Sequence, residues 1–136
     1  MKQFIILTLA LSFFCLKLHA QAEKTLVKSV DLNGNRAITA ALNGHTTISE
    51  WDKDFIRITT HVKLTNSNES ILERLVSVGR YEISLDEVDG VMTLTMPKAS
   101  TAVVLKGTSL VEQYSFEITV PKKISIKIDA PASEGI

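Results

Sequence analysis

Trp51-Asp52-Lys53-Asp54-Phe55-Ile56-Arg57-Ile58-Thr59-Thr60-His61-Val62-Lys63-Leu64 holds the longest clean alternation in the chain. Ile56, Ile58, Thr60, Val62 and Leu64 share one parity, and Phe55, Arg57, Thr59, His61 and Lys63 share the other. A side-chain period of two is the signature of a strand with one buried face. The second set is polar apart from Phe55, so that face is expected to meet water, a ligand or a partner. The polar Asp52-Lys53-Asp54 run reads as the turn that launches the strand.

The same pattern spreads outward on both sides. Upstream, Lys24–Leu32 places Leu26, Val30 and Leu32 on one parity, and Asn33-Gly34 then supplies a tight-turn signal, because both residues tolerate positive φ. Arg36–Leu42 reads as a second strand ending at another Asn-Gly, Asn43-Gly44, and threonine-rich His45–Ser49 as a third. Downstream, Asn66–Arg80 breaks the β pattern. Asn66, Ser67 and Asn68 are N-cap candidates, with Glu69 spaced from Asn66 as in a capping box. Ile71, Leu72, Leu75 and Val78 make a helical apolar stripe, and Gly79 offers a C-terminal cap. Alternation resumes in Tyr81–Leu85 and Val91–Met96, around an Asp89-Gly90 tip. Ala99–Thr108 reads as a buried strand or a docked loop. Val111–Val120 alternates again, with Glu112, Tyr114, Phe116, Ile118 and Val120 on one parity, and Ile124, Ile126 and Ile128 form a last strand.

Eight or nine strands with one short helix, and no repeating strand–helix–strand unit, exclude a doubly wound parallel sheet. The chain is expected to be mainly β, either an antiparallel β-sandwich or the start of a β-solenoid. Its 136 residues leave room for one domain. Residues 1–22 read as a signal peptide: a basic start at Lys2, an apolar run from Phe4 to Leu16, and the small-x-small pattern Ala20-Gln21-Ala22. Cleavage after Ala22 or after Ala20 is expected, leaving 23–136 as a single β-rich domain. The apolar run is too short to span a bilayer. Cys15 follows two bulky phenylalanines and belongs to that run, so the mature chain carries no cysteine and no disulfide, and must depend on its apolar core.

Removing Lys2 and Lys17 turns 15 basic and 15 acidic residues into 13 against 15. Nucleic acid needs a concentrated basic surface and is excluded as a partner. The mature sequence holds no integral membrane segment.

Leu42-Asn43-Gly44, the strand His45–Ser49, Trp51-Asp52 and the alternation after Phe55 form one unit. A helical insertion at Asn66–Arg80 follows, then an Asp89-Gly90 hairpin, then the late strand Tyr114–Lys122 ending in Pro-Lys. Together these resemble the N-terminal part of a family of exported bacterial adhesin-like proteins, of the auto-transporter adhesin head type, whose sheets continue as a β-solenoid. The resemblance spans roughly Val30 to Ile128 and implies export to the periplasm or cell surface of a Gram-negative bacterium. It implies a non-enzymatic binding or structural role, with the chain stopping before the family's glycine-punctuated rungs.

The residues offer little chemistry. His45 and His61 are the only histidines after the leader, too few for a zinc site without cysteines. No serine-hydrolase elbow, Walker loop or dinucleotide fingerprint occurs. No cofactor or metal is expected. Asp52 and Asp54 would serve a secreted carbohydrate-active hydrolase only if they converged with another acid in a cleft. Trp51 either stacks on a ligand or packs over the sheet end with its N–H on a turn carbonyl. Trp51, Asp52, Asp54 and His61 are the candidate binding surface, for a protein or glycan partner. Ile124–Ile128, if a free edge, is a candidate for homodimer pairing.

Overall fold

The computed structural model describes residues 21–129; the expected leader segment up to Ala20 and the C-terminal residues 130–136 lie outside them. The elements in order are β1 (Ala22–Asp31), β2 (Ala37–Ala40), β3 (His45–Trp51), β4 (Phe55–Leu64), α1 (Glu69–Ser77), β5 (Ser84–Val88), β6 (Val91–Thr95), a 3₁₀ turn (Pro97–Ser100), β7 (Val104–Leu105), β8 (Thr108–Ser109), β9 (Glu112–Pro121) and β10 (Ser125–Ile128).

Two four-stranded sheets pack face to face, one ordered β1-β4-β9-β3 and the other β10-β2-β6-β5, while β7 and β8 form a separate hairpin. The chain is a mainly β sandwich. β4 occupies the residues that the alternation marks out, and every apolar member of its inward parity is buried: Ile56, Ile58, Val62 and Leu64, with Thr60 among them. Its antiparallel partners β1 and β9 add Val30, Phe116, Ile118 and Val120. The second sheet closes on them with Ile38, Ala40, Met92 and Leu94. Helix α1 packs beside β1 and sends Leu72 into the same core, so it plugs one side of the sandwich and leaves the sheet's outer face open.

Pairing is mixed. β1-β4-β9 and β5-β6 are antiparallel, but β2 lies parallel to both β6 and β10, and β3 lies parallel to β9. The cause is that the β2–β3 and β9–β10 connections pass from one sheet to the other. A strand that changes sheets cannot turn back beside its predecessor as a hairpin does. Ile126, Ile38 and Met92 therefore stack in register across three parallel strands, as do Ile128, Ala40 and Leu94. β10 is an edge, which meets the condition set for homodimer pairing without showing it, and β3, β1 and β5 are edges too.

Asn33-Gly34 and Asp89-Gly90 both have positive φ at both residues; Asp89-Gly90 closes the β5–β6 hairpin, the geometry matched to strand twist, whereas Asn33-Gly34 lies between β1 and β2, which belong to different sheets. Asn43-Gly44 is different. It carries the β2–β3 crossover between sheets, and Gly44 is needed for close approach: a Cβ there would meet the Tyr114 carbonyl oxygen at 2.6 Å and the Phe116 ring at 3.0 Å. Of the three N-cap candidates, Asn68 takes the role, and the capping box counted from Asn66 does not form. Asn68 accepts from the Ile71 N–H at 3.0 Å, while Asn66 turns away to hold Ser109 and Val111. Ala99–Thr108 is neither a buried strand nor a docked loop but the 3₁₀ turn and an exposed hairpin.

Gly44→Ala forces a methyl onto fixed backbone, so it is expected to cost about 1–3 kcal/mol of stability, the usual cost of overpacking. Urea unfolding should show a lower midpoint at unchanged slope; an unshifted midpoint contradicts the close approach.

Candidate functional site

Trp51 ends β3 and Phe55 begins β4, and the Asp52-Lys53-Asp54 turn folds them onto one another. The indole N–H donates to the Phe55 carbonyl at 2.9 Å, and the two rings meet edge to face at 4.8 Å between centroids. The Lys53 ammonium and the Arg57 guanidinium each stand 4.9 Å from the indole centroid, within the range of a cation–π contact. Trp51 thus takes the packing role, and much of its ring is already engaged.

Beside it lies a cleft of about 390 Å³ bounded by Leu32, Trp51, Pro121 and Ile124, with Asp52, Lys53, Asp54, Lys122 and Lys123 also lining it. That volume falls within the range of small-ligand sites. Asp52 is exposed and paired with Lys122 at 2.8 Å; Asp54 is exposed too. Neither carboxylate is enclosed by apolar groups as a general acid of a glycosidase requires. The three cleft lysines outnumber its two aspartates, and Lys122 already neutralises one of them.

His61 is elsewhere. It lies six residues along β4 from Phe55, roughly 20 Å at strand rise, so the expected binding surface divides into two places. On the outer face of the first sheet, its Nδ1 is 3.0 Å from the Thr25 hydroxyl and its Nε2 3.0 Å from a Glu117 carboxylate oxygen. These partners sit on β1 and β9, the two strands flanking β4. An imidazole between a carboxylate and a hydroxyl is the arrangement that activates an alcohol in hydrolases. Here the His61 and Glu117 side chains are 43% and 59% exposed, so water screens the pair. A polar groove of about 420 Å³ runs over this row, bordered by Glu23, Lys63, Gln113 and Ser115. His45 is exposed on β3, across β9 from His61 in the same row. Among the described residues, no three histidine, cysteine or acidic side chains gather in a metal-binding group.

No family model matches the chain, and no curated protein sequence matches it. In structure, it is similar to a putative cell adhesion protein from Clostridium sporogenes, with a TM-score of 0.45 and 17% identity over 80% of this chain and 47% of that one. It is also similar to a putative adhesin from Parabacteroides merdae, with a TM-score of 0.31 and 15% identity over 79% of this chain and 35% of that one. The chain thus spans less than half the length of either.

One further group of residues escapes a reading of the sequence by motif. Arg80 and Glu112, 8% and 7% exposed, form a buried pair with Nη2 2.6 Å and Nε 3.0 Å from the two carboxylate oxygens. Arg80 also donates to the Lys98 carbonyl at 2.9 Å and the Thr101 carbonyl at 2.7 Å, and Tyr81 donates its hydroxyl to Glu112 at 2.8 Å. Burial by itself would raise the Glu112 pKa. Arg80 and the hydroxyls of Tyr114 and Tyr81 outweigh it and hold the carboxyl below its ordinary value. Burial, reinforced by the Glu112 charge, pushes both phenols up. The signal was present in the sequence: Glu112 shares the inward parity of β9 with Tyr114, Phe116, Ile118 and Val120.

A carboxyl whose folded pKa is depressed adds stability above its unfolded value, near 4.3 for glutamate, and loses it as pH falls through the lower folded value. Glu112→Gln strands a buried guanidinium and is expected to cost roughly 3 kcal/mol at neutral pH. The gap from the wild type should narrow as pH drops below the ordinary glutamate value. A gap independent of pH, measured by denaturant unfolding, contradicts this account.

Proposed function

We propose that this chain is an exported, non-enzymatic β-sandwich domain of the periplasm or cell surface, which binds a protein partner at the Trp51 cleft in the manner of an adhesin. The observation that carries this is the cleft's composition, an apolar floor of Leu32, Pro121 and Ile124 under a rim richer in lysine than in acid. Such a cleft suits an apolar side chain flanked by acidic residues. A glycan is less well served, because a sugar stacks on an open ring face and Trp51 already carries Lys53, Arg57 and Phe55. The hydrolase reading through Asp52 and Asp54 finds no support in their exposed placement. The leader-like first residues and the family resemblance support export. No helix of the described residues is long and apolar enough to cross a membrane. The parallel register at the β3 and β10 edges suits the stacking of further coils, which the resemblance to a solenoid family implies.

Peptides selected from a random phage-displayed library are expected to share an apolar anchor beside acids. Their affinity should fall about tenfold in Lys123→Glu, a surface change that spares the core, and further in Trp51→Ala. Equal binding by Lys123→Glu, or no enriched sequence, contradicts the assignment.

We place the leader cleavage after Ala20, the second of the two expected positions, on the ground of packing. Ala22 is only 5% exposed and pairs with Leu64 at the start of β1, so processing after Ala20 keeps the core intact. N-terminal sequencing of exported protein should read Gln21-Ala22-Glu23; a start at Glu23 contradicts this.

A further inference from the structure

Two strands present an open edge, β5 beside acidic residues and β7 beside a lysine. β5 is the outer strand of the second sheet, and all five of its residues are exposed, including Leu85 at 37% and Val88 at 60%. Its charges are all acidic: Asp86, Glu87 and, at the turn, Asp89. The second open edge belongs to β7, which pairs with β8 on its other side. Its neighbour β8 is tied to the body of the molecule, because Asn66 donates to the Ser109 carbonyl at 2.9 Å and accepts from the Val111 N–H at 2.9 Å. The outer edge of β7 has no such strap. Val104 is 59% and Leu105 36% exposed there. From Lys98 to Val111 the only charges are Lys98 and Lys106.

The tip of this hairpin is unusual. Lys106-Gly107 adopts φ of 50° and 77°, matching Asn33-Gly34 and Asp89-Gly90. Asparagine and aspartate tolerate the left-handed region; lysine there costs roughly 1 kcal/mol. The hairpin therefore keeps a cation at its tip in a turn that another residue would form more cheaply. Its root is rigid, since Arg80 clamps the Lys98 and Thr101 carbonyls.

We propose that β5 and β7 form a self-association surface, with the β7 edge of one copy laid along the β5 edge of a second. Open strand edges pair readily, the apolar residues on each are exposed, and the charges are complementary. Both strands hang from one corner: Ser84 of β5 pairs with Thr95 of β6, and the 3₁₀ turn leading to β7 starts at Pro97. A two-fold axis at that corner lets each hairpin reach the other copy's β5, so the contact is made twice and the assembly closes as a dimer. The β10 edge, on the opposite side, takes no part.

Sedimentation equilibrium on the exported chain tests this with charge variants at exposed positions. The wild type should dimerise with concentration, more weakly as salt rises. Lys106→Glu and Asp86→Lys should each weaken the dimer about tenfold, with melting temperatures preserved, and the Lys106→Glu/Asp86→Lys double variant should regain it. A monomer at every attainable concentration overturns the proposal. So does a dimer indifferent to both reversals, or one lost in Lys127→Glu on β10 and retained in Lys106→Glu.

Discussion

Arg80 and Glu112 set a condition that much of the molecule must meet. A guanidinium and a carboxylate whose side chains are 8% and 7% exposed are tolerable only when each buried nitrogen and oxygen has a partner. Arg80 meets that demand by drawing together the end of the helical segment, the 3₁₀ turn, the base of the β7–β8 hairpin and the first residue of β9. The segment between β6 and β9 has little apolar burial of its own, so this polar clamp fixes where the hairpin leaves the body. Removing either partner leaves a buried charge without its counterpart, which explains why the fold at this corner depends on both.

The sandwich itself was legible in the alternation. β4 coincides with the marked residues because ten consecutive positions repeat with period two and no competing helical pattern overlaps them. The helix was found from its apolar stripe, and one of its three cap candidates, Asn68, caps it; the capping box from Asn66 fails because Asn66 has longer-range partners to satisfy. The parallel pairs were not legible. Nothing local distinguishes Asn43-Gly44 from Asn33-Gly34 or from the Asp89-Gly90 hairpin turn; the difference lies in the approach of Gly44 to β9, whose contacting residues are some seventy positions away. Ala99–Thr108 misled because Val103, Val104 and Leu105 are as apolar as any core strand, while their place on a projecting hairpin is decided by Arg80.

The grouping of the candidate surface residues was legible in part. Trp51, Asp52 and Asp54 do share a cleft, because they flank one turn. His61 belongs with Thr25 and Glu117 instead, an association made by strand register across three strands and invisible to spacing along one. Lys122, Lys123 and Ile124 complete the Trp51 cleft from the β9–β10 crossover, so the site's cationic character comes from a distant stretch of chain.

The mixed pairing also dictates when the molecule can become whole. Among the described residues, β3 has a hydrogen-bonded partner only in β9, and β2 only in β6 and β10. A chain emerging from its N-terminus can join β1 to β4 early, yet β3 must wait for its strand partner until residues past Glu112 appear. Closure of loops this long is entropically costly and slows folding. The molecule is therefore organised to remain unfinished during synthesis and to consolidate late, when its last strands arrive to fill places held open near its beginning.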